Sequence, residues 1–393
     1  MEPTLSGHEM LALIQRVFQP KSDEHSVAIL VDLPDRVAAD HPSWAARRAM
    51  ALDWARQLHA MSAQSGLRVS LCLYRNVRHN NADLPDHGWL HAGDAISSLE
   101  LPATADDVPS DATVTAMRDV LRKHPLILAP TQFSATAPLK LAGRELGFRA
   151  ATMPGFSPDM IPALRLDYVE INRRVQLLKD LLDRATGADF EFLVDSATSH
   201  KLHLDLRFRT AHASGGLLPQ PGTAGNLPSG EAYIVPYEGE KPGEPSRSEG
   251  QLPVELDGDL VVYRIEQNRA IGVIDASSDT ARREAVLLGK EPAYGNLAEL
   301  GLGVLADFGV QPCGEILLDE KLGLHIAFGR SDHFGGRIGA SDFSCADAVV
   351  HIDRVYTPNL QPRVRVRSVV LHLEDGREQA LMRDDRYAVS FER

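Results

Sequence analysis

Five ionisable residues in the second half of the chain have the types and settings to hold a divalent cation: Glu231, Glu299, His325, His351 and Asp353. His351 and Asp353 stand two places apart in AVVHIDRVY (348–356), an apolar run of strand character. Side chains alternate along a strand, so this pair shares one face, with Val350 and Ile352 on the other. An imidazole and a carboxylate side by side can bond to each other or converge on a cation. Glu231 follows the turn-forming GNLPSG at the start of a strand. Glu299 sits in GNLAELGLG, where Leu297, Leu300 and Leu302 would desolvate it. His325 sits in DEKLGLHIAFG, with Leu324 and Ile326 on the opposite face.

Each residue also has a plain reading. Glu231 can end a turn, Glu299 can be the wet position of an amphipathic helix, and His325 can bond a backbone carbonyl. His351 and Asp353 can simply pair at a sheet edge. Together, however, they place several ionisable groups in apolar surroundings, where an unpaired charge is costly. One or two divalent ions would satisfy all of them. A His, Asp and Glu set without Cys suits zinc, cobalt, manganese or iron(II).

The elements that must position these groups fall into two textures. Residues 1–188 read as an α/β domain with a mostly parallel sheet. Strands are expected at SVAILVDLP (26–34), LRVSLCLYR (67–75), PLILAPT (125–131) and FRAATMPG (148–155). Helices are expected at 44–66, 111–124 and 137–147, and strands separated by helices imply parallel crossovers. A long connecting helix is expected over 159–187, with Val169, Ile171, Val175, Leu178 and Leu181 at helical spacing. Neither GxGxxG after the first strand nor GxxxxGK[ST] anywhere supports a nucleotide site.

Residues 189–393 read as an α+β, β-rich domain that carries the metal site, with short strands and dense turns. Strands are expected at FEFLVDSA, HLDLRF, AYIVPYEG, GDLVVYRI, AIGVIDA, EILLDEK, LHIAFG, AVVHIDRVY and VRSVVLHLEDG. Residues 281–290 and the region around Asn296–Leu300 are expected to be helical, and 237–253 an exposed loop.

Composition narrows the function class. The 393 residues carry a formal net charge of −13, which argues against nucleic acid or an anionic membrane as partner. The basic run PRVRVRS (362–368) alternates with valine and reads as a strand with one solvated face. Three scattered cysteines, Cys72, Cys313 and Cys345, form no CxxC pair and fit a reducing compartment. The N-terminal residues lack a basic segment followed by an apolar core, and no apolar run reaches membrane-span length. The expectation is a cytoplasmic protein.

Four separated stretches, GNLPSGEAYIVPYEG, NLAELGLG, ILLDEKLGLHIAFG and VVHIDRVY, resemble in type and order the aminopeptidase T/aminopeptidase S family of metallopeptidases, the leucyl aminopeptidase T-like enzymes. The resemblance is strong over the second half and weaker over 159–187 and HLDLRF. It implies a homodimeric metallo-aminopeptidase that removes N-terminal residues from peptides, using two divalent ions (Zn, Co or Mn) to activate a water. By motif, Glu231 and Glu299 resemble the family's carboxylate ligands, His325 the histidine after D-E-K, and His351 and Asp353 the H-x-D pair. Glu299 is also the candidate proton shuttle.

One departure stands out. The family has Tyr seven residues after the D-E-K histidine, where this chain has Asp332, followed by His333. Asp332 can act as a ligand, and His333 can act as a hydrogen-bond donor in place of the tyrosine; the stretch can equally be a plain loop. Two alternatives accompany the hydrolase. One is a mononuclear iron(II) ring-cleaving dioxygenase related to the dihydroxypyridine dioxygenases, with His325, His351 and Asp353 as its triad, although those relatives carry His at the position of Glu299. The other is a non-catalytic metal-binding relative.

Overall fold

A computed structural model describes residues 4–392. The chain divides into two compact units. The first comprises residues up to Asn172 together with Gly216–Ser229 and Cys313–Leu318. The second comprises Arg173–Gly215, Gly230–Pro312 and Asp319 onward. In chain order the strands are β1 (Ser26–Leu33), β2 (Arg68–Arg75), β3 (His87–Ala92), β4 (Val114–Ala116), β5 (Leu126–Ala129), β6 (Arg149–Thr152), β7 (Ala185–Val194), β8 (Thr198–Asp205), β9 (His212–Ser214) and β10 (Ala224–Asn226). They continue with β11 (Glu231–Ile234), β12 (Glu249–Leu256), β13 (Asp259–Glu266), β14 (Arg269–Val273), β15 (Leu297–Gly303), β16 (Leu324–Gly329), β17 (His351–Val355), β18 (Val364–Leu373), β19 (Glu378–Arg383) and β20 (Arg386–Tyr387).

The first unit is α/β. Its sheet runs β10-β6-β5-β1-β2-β3-β4, parallel from β10 to β2 and antiparallel through β3 and β4. β1 is SVAILVDL and is buried at every position, as a central parallel strand covered on both faces must be. Helix Pro42–Ala60 packs on β1 and β2, and helix Thr136–Leu146 packs on β6 and β10. Ala28, Leu30, Cys72, Val120, Ile127, Leu139 and Ala150 form one continuous core between sheet and helices. β3 and β10 lie where no strand was expected, and β4 occupies the start of the expected helix 111–124, which begins only at Met117.

The second unit holds two antiparallel sheets. One has eight strands in the order β14-β13-β12-β8-β7-β18-β19-β20, and the other five in the order β17-β16-β15-β11-β9. β18 shows the expected alternation, with Val364 and Val366 buried and Arg365 and Arg367 exposed.

Four expectations are corrected. The region around Asn296–Leu300, expected to be helical, belongs to a strand, Leu297–Gly303, which has hydrogen-bonding partners on both sides and every residue buried. EILLDEK is a helical turn, Ile316–Asp319, followed by a 3-10 turn, Glu320–Leu322. The long helix is interrupted: Ile161–Leu164 is a separate turn, and a new helix starts at Tyr168 and ends at Asp183. Asp167 Oδ1 accepts from the backbone N–H of Val169 and Glu170, which caps that new start, and Val169 is exposed whereas Ile171, Val175 and Leu178 are fully buried. Finally, residues 249–253 of the expected loop belong to β12.

Candidate metal centre

Adjacent strands β11, β15, β16 and β17 bring the five candidate residues to one face. Glu231 opens β11 and pairs with Gly303 of β15. Glu299 pairs with Ala327 of β16, which pairs with Asp353 of β17. His325 lies opposite Gly301, and His351 opposite Gly329. Paired residues of antiparallel strands project to the same side, as do residues two apart along a strand. Glu231, Glu299, His325, His351 and Asp353 therefore share a face, and the residues between them are small: Gly301, Gly303, Ala327 and Gly329. His351 and Asp353 keep the common face expected from their spacing. Val350 precedes β17, and Ile352 projects to the other side.

The ligand atoms form two groups joined at Glu299. Glu231, Glu299 and His325 each offer an atom within 4.8 Å of the others, as do Glu299, His351 and Asp353. His325 Nε2 is 3.4 Å from Glu299 Oε1 and 3.5 Å from Glu231 Oε2. His351 Nε2 is 3.4 Å from Glu299 Oε2 and 3.5 Å from Asp353 Oδ1. Each oxygen of Glu299 thus faces a different histidine. These separations are long for a hydrogen bond. Two ligand atoms each about 2.1 Å from a tetrahedral ion stand about 3.4 Å apart, which matches.

Tautomers support the same geometry. His325 Nδ1 donates to the Gly323 carbonyl at 3.2 Å, and His351 Nδ1 donates to the Arg330 carbonyl at 2.8 Å. With Nδ1 carrying the proton, a neutral ring turns the bare lone pair of Nε2 toward carboxylates. That arrangement requires a cation, either a second ring proton or a metal. Glu231 Oε2 is buried and has no hydrogen-bond partner. An orphaned carboxylate oxygen aimed at an imidazole nitrogen fits a divalent ion between them.

Electrostatics follow from burial and charge. Burial alone would lower the pKa of His325, but Glu299, Asp353 and Glu231 raise it to about 9. His351 is raised well above its ordinary value against the same opposition, by Asp353 and Glu299. Burial would raise Glu299, yet the two histidines hold it at about 2, and His351 likewise lowers Asp353.

Three residues that sequence reasoning missed complete the site. Lys321 is 1% exposed, and its ammonium donates to Glu231 Oε1 at 2.5 Å and to Glu320. Burial raises Glu320 to about 8, and Lys321 opposes the rise. Tyr233, two residues beyond Glu231, pairs with Gly301 and so shares the site's face. Burial, then the charges of Glu299 and Glu231, push its hydroxyl pKa upward, so the hydroxyl keeps its proton at neutral pH. The D-E-K triplet was the signal for Glu320 and Lys321. Tyr233 was signalled only by its spacing of two from Glu231.

Asp332 and His333 are placed differently. Asp332 accepts from Arg330 Nε at 2.6 Å and belongs to neither ligand group. The His333 ring lies 5.5 Å from that of His351. Burial, with the neighbouring His351 charge, lowers His333 to about 4, so it is neutral at pH 7.

No family model matches the chain, and no curated protein matches it in sequence. Solved structures that share the fold over nearly the whole length include the following two. The 2,5-dihydroxypyridine dioxygenase from Pseudomonas putida KT2440 superposes with a TM-score of 0.61 at 15% identity, covering 99% of this chain and 100% of that one. AmpT (aminopeptidase T) from Thermus thermophilus superposes with a TM-score of 0.52 at 17% identity, covering 98% and 99%. The fold is therefore aminopeptidase T-like and is shared with a dioxygenase.

Proposed function

We propose that this protein is a metal-dependent aminopeptidase hydrolysing N-terminal residues from peptides. The observation that carries the reading is Glu299, whose two oxygens face two separate ligand groups, as a carboxylate shared by two ions would. Glu231, Glu299 and His325 would hold one ion, and Glu299, His351 and Asp353 the other. When bound, divalent ions supply Lewis acidity toward a peptide carbonyl and lower the pKa of water.

The chain's own residues do the rest. The carbonyls of Gly323 and Arg330 orient the two imidazoles. Lys321 balances the carboxylates and fixes Glu231. Glu299 would be the shared ligand, and because each of its oxygens already faces a histidine the proton-shuttle role suits Glu320 better. Burial keeps that carboxyl near neutrality, where it can take and return a proton. The protonated hydroxyl of Tyr233 suits donation to a developing oxyanion. The reading carries with it a homodimer and a cytoplasmic setting.

A second reading, a mononuclear iron(II) ring-cleaving dioxygenase, is favoured by the higher structural similarity to the dihydroxypyridine enzyme. Two histidines and a carboxylate suffice for it. Metal held by this centre is counted by elemental analysis of anaerobically purified protein as the difference from a Glu299→Ala, His325→Ala variant, and this count together with assays on aminoacyl substrates separates the two. Two divalent ions per chain with release of free amino acid support the hydrolase. One iron with oxygen uptake on a dihydroxylated ring supports the dioxygenase, and no metal after reconstitution leaves a non-catalytic relative.

A further inference from the structure

Away from the candidate centre, the eight-stranded sheet of the second unit gathers another ligand set. Asp189 of β7, His203 of β8 and His372 of β18 lie on three adjacent strands. Asp189 pairs directly with His203, and His372 pairs with Gly187 two residues before Asp189, so all three side chains share a face. His203 Nδ1 stands 2.6 Å from Asp189 Oδ1, and His372 Nε2 stands 2.7 Å from Asp189 Oδ2. One ligand atom from each residue lies within 4.8 Å of the other two. None of the three takes part in the site described above.

We propose that Asp189, His203 and His372 form a second, solvent-open site for a borderline divalent cation such as Zn(II) or Co(II). Two imidazoles and one carboxylate are a donor set for such ions, with remaining positions left to water or a ligand. Three further features support it. Gly187 interrupts the middle of the sheet where a side chain would strengthen the strand, and a Cβ there would lie 2.8 Å from His203 Cε1 and 3.2 Å from its Nε2. The glycine thus clears the space this imidazole occupies. Glu378 on β19 approaches His372 Nδ1 at 3.7 Å, on the side of the ring away from Asp189, where an outer carboxylate would orient a ligating histidine. The three residues also open to a cavity of about 340 Å³ that Thr186, Asp205, Arg207 and Arg247 help line, which gives an ion an entry path. The cation would take the place of the ring protons now directed at Asp189, and so tie three strands together.

The test uses the full chain stripped with chelator and titrated with Co(II), read by ligand-field absorption and by metal content after gel filtration. In a variant without the candidate centre, Glu299→Ala with His325→Ala, one Co(II) per chain is expected to remain. Adding His203→Ala and His372→Ala should remove it, while Asp189→Asn should weaken binding at least tenfold. Circular dichroism checks that each variant is folded; Glu299→Gln with His325→Gln replaces the first variant if it is not, and His203→Gln with His372→Gln replaces the histidine variant. If the first variant folds and binds no Co(II), or if the histidine changes leave the residual ion bound, the proposal is overturned. Because the ion is counted without the candidate centre, failure here leaves the hydrolase reading untouched, and the reverse also holds.

Discussion

His325 lies directly opposite Gly301 on the neighbouring strand, and a Cβ at position 301 would come within 1.8 Å of its Nε2. The imidazole occupies the volume that any other residue would fill. Gly301→Ala is therefore expected to displace the ring, lowering metal affinity by about 10- to 100-fold and stability by about 1–3 kcal/mol. Metal titration and urea unfolding of the variant check both. An alanine protein that binds metal as the parent does would refute the assignment of His325.

Glu299 and Glu320 should separate in their effects. Glu299→Gln is expected to lose metal, because one carboxylate serves both ligand groups. Glu320→Gln should keep its metal content while kcat falls by roughly 10²- to 10⁴-fold. Elemental analysis beside steady-state kinetics distinguishes them. A Glu299→Gln protein that keeps the parent's full metal content would argue against a shared ligand.

Tyr233→Phe preserves ring packing against His212 and Phe334 and removes only the hydroxyl. The expected outcome is unchanged metal content and a fall in kcat of roughly 10²-fold. A rise in KM alone would mean that the hydroxyl serves ground-state binding.

Metal uptake should release protons. In the metal-free protein His325, with its pKa raised to about 9, is charged at pH 7.5, and binding needs it neutral at Nε2. Affinity should therefore climb with pH as His325 loses its proton around pH 9. The opposite holds for metal-free stability. The imidazolium's contribution is complete below the unfolded pKa of about 6.5 and is lost as pH rises through about 9. Calorimetry in buffers of different ionisation enthalpy counts the released protons, and unfolding curves at several pH values follow the stability.

Lys321→Met should destabilise the metal-free protein by about 3–5 kcal/mol, since Glu231 would lose its buried counter-charge. Chemical denaturation measures the loss, and added divalent metal should recover part of it.

Sequence alone determined what depends on local periodicity. The uninterrupted apolar run at Ser26–Leu33 required a strand covered on both faces. The spacing of two between His351 and Asp353 required a common face, because strand geometry allows nothing else. Where a segment's form depends on its neighbours, sequence was a poor guide. Asn296–Leu300 looks helical in isolation, yet the backbone of Leu297–Gly303 is claimed by β11 and β16. EILLDEK looks like a strand but closes as turns that bury Lys321. Only the tertiary structure decided that Glu299 divides its oxygens between two histidines and that Lys321 stands beside Glu231. Those relations come from strand order and register between residues up to about a hundred positions apart, a distance over which no local pattern carries information.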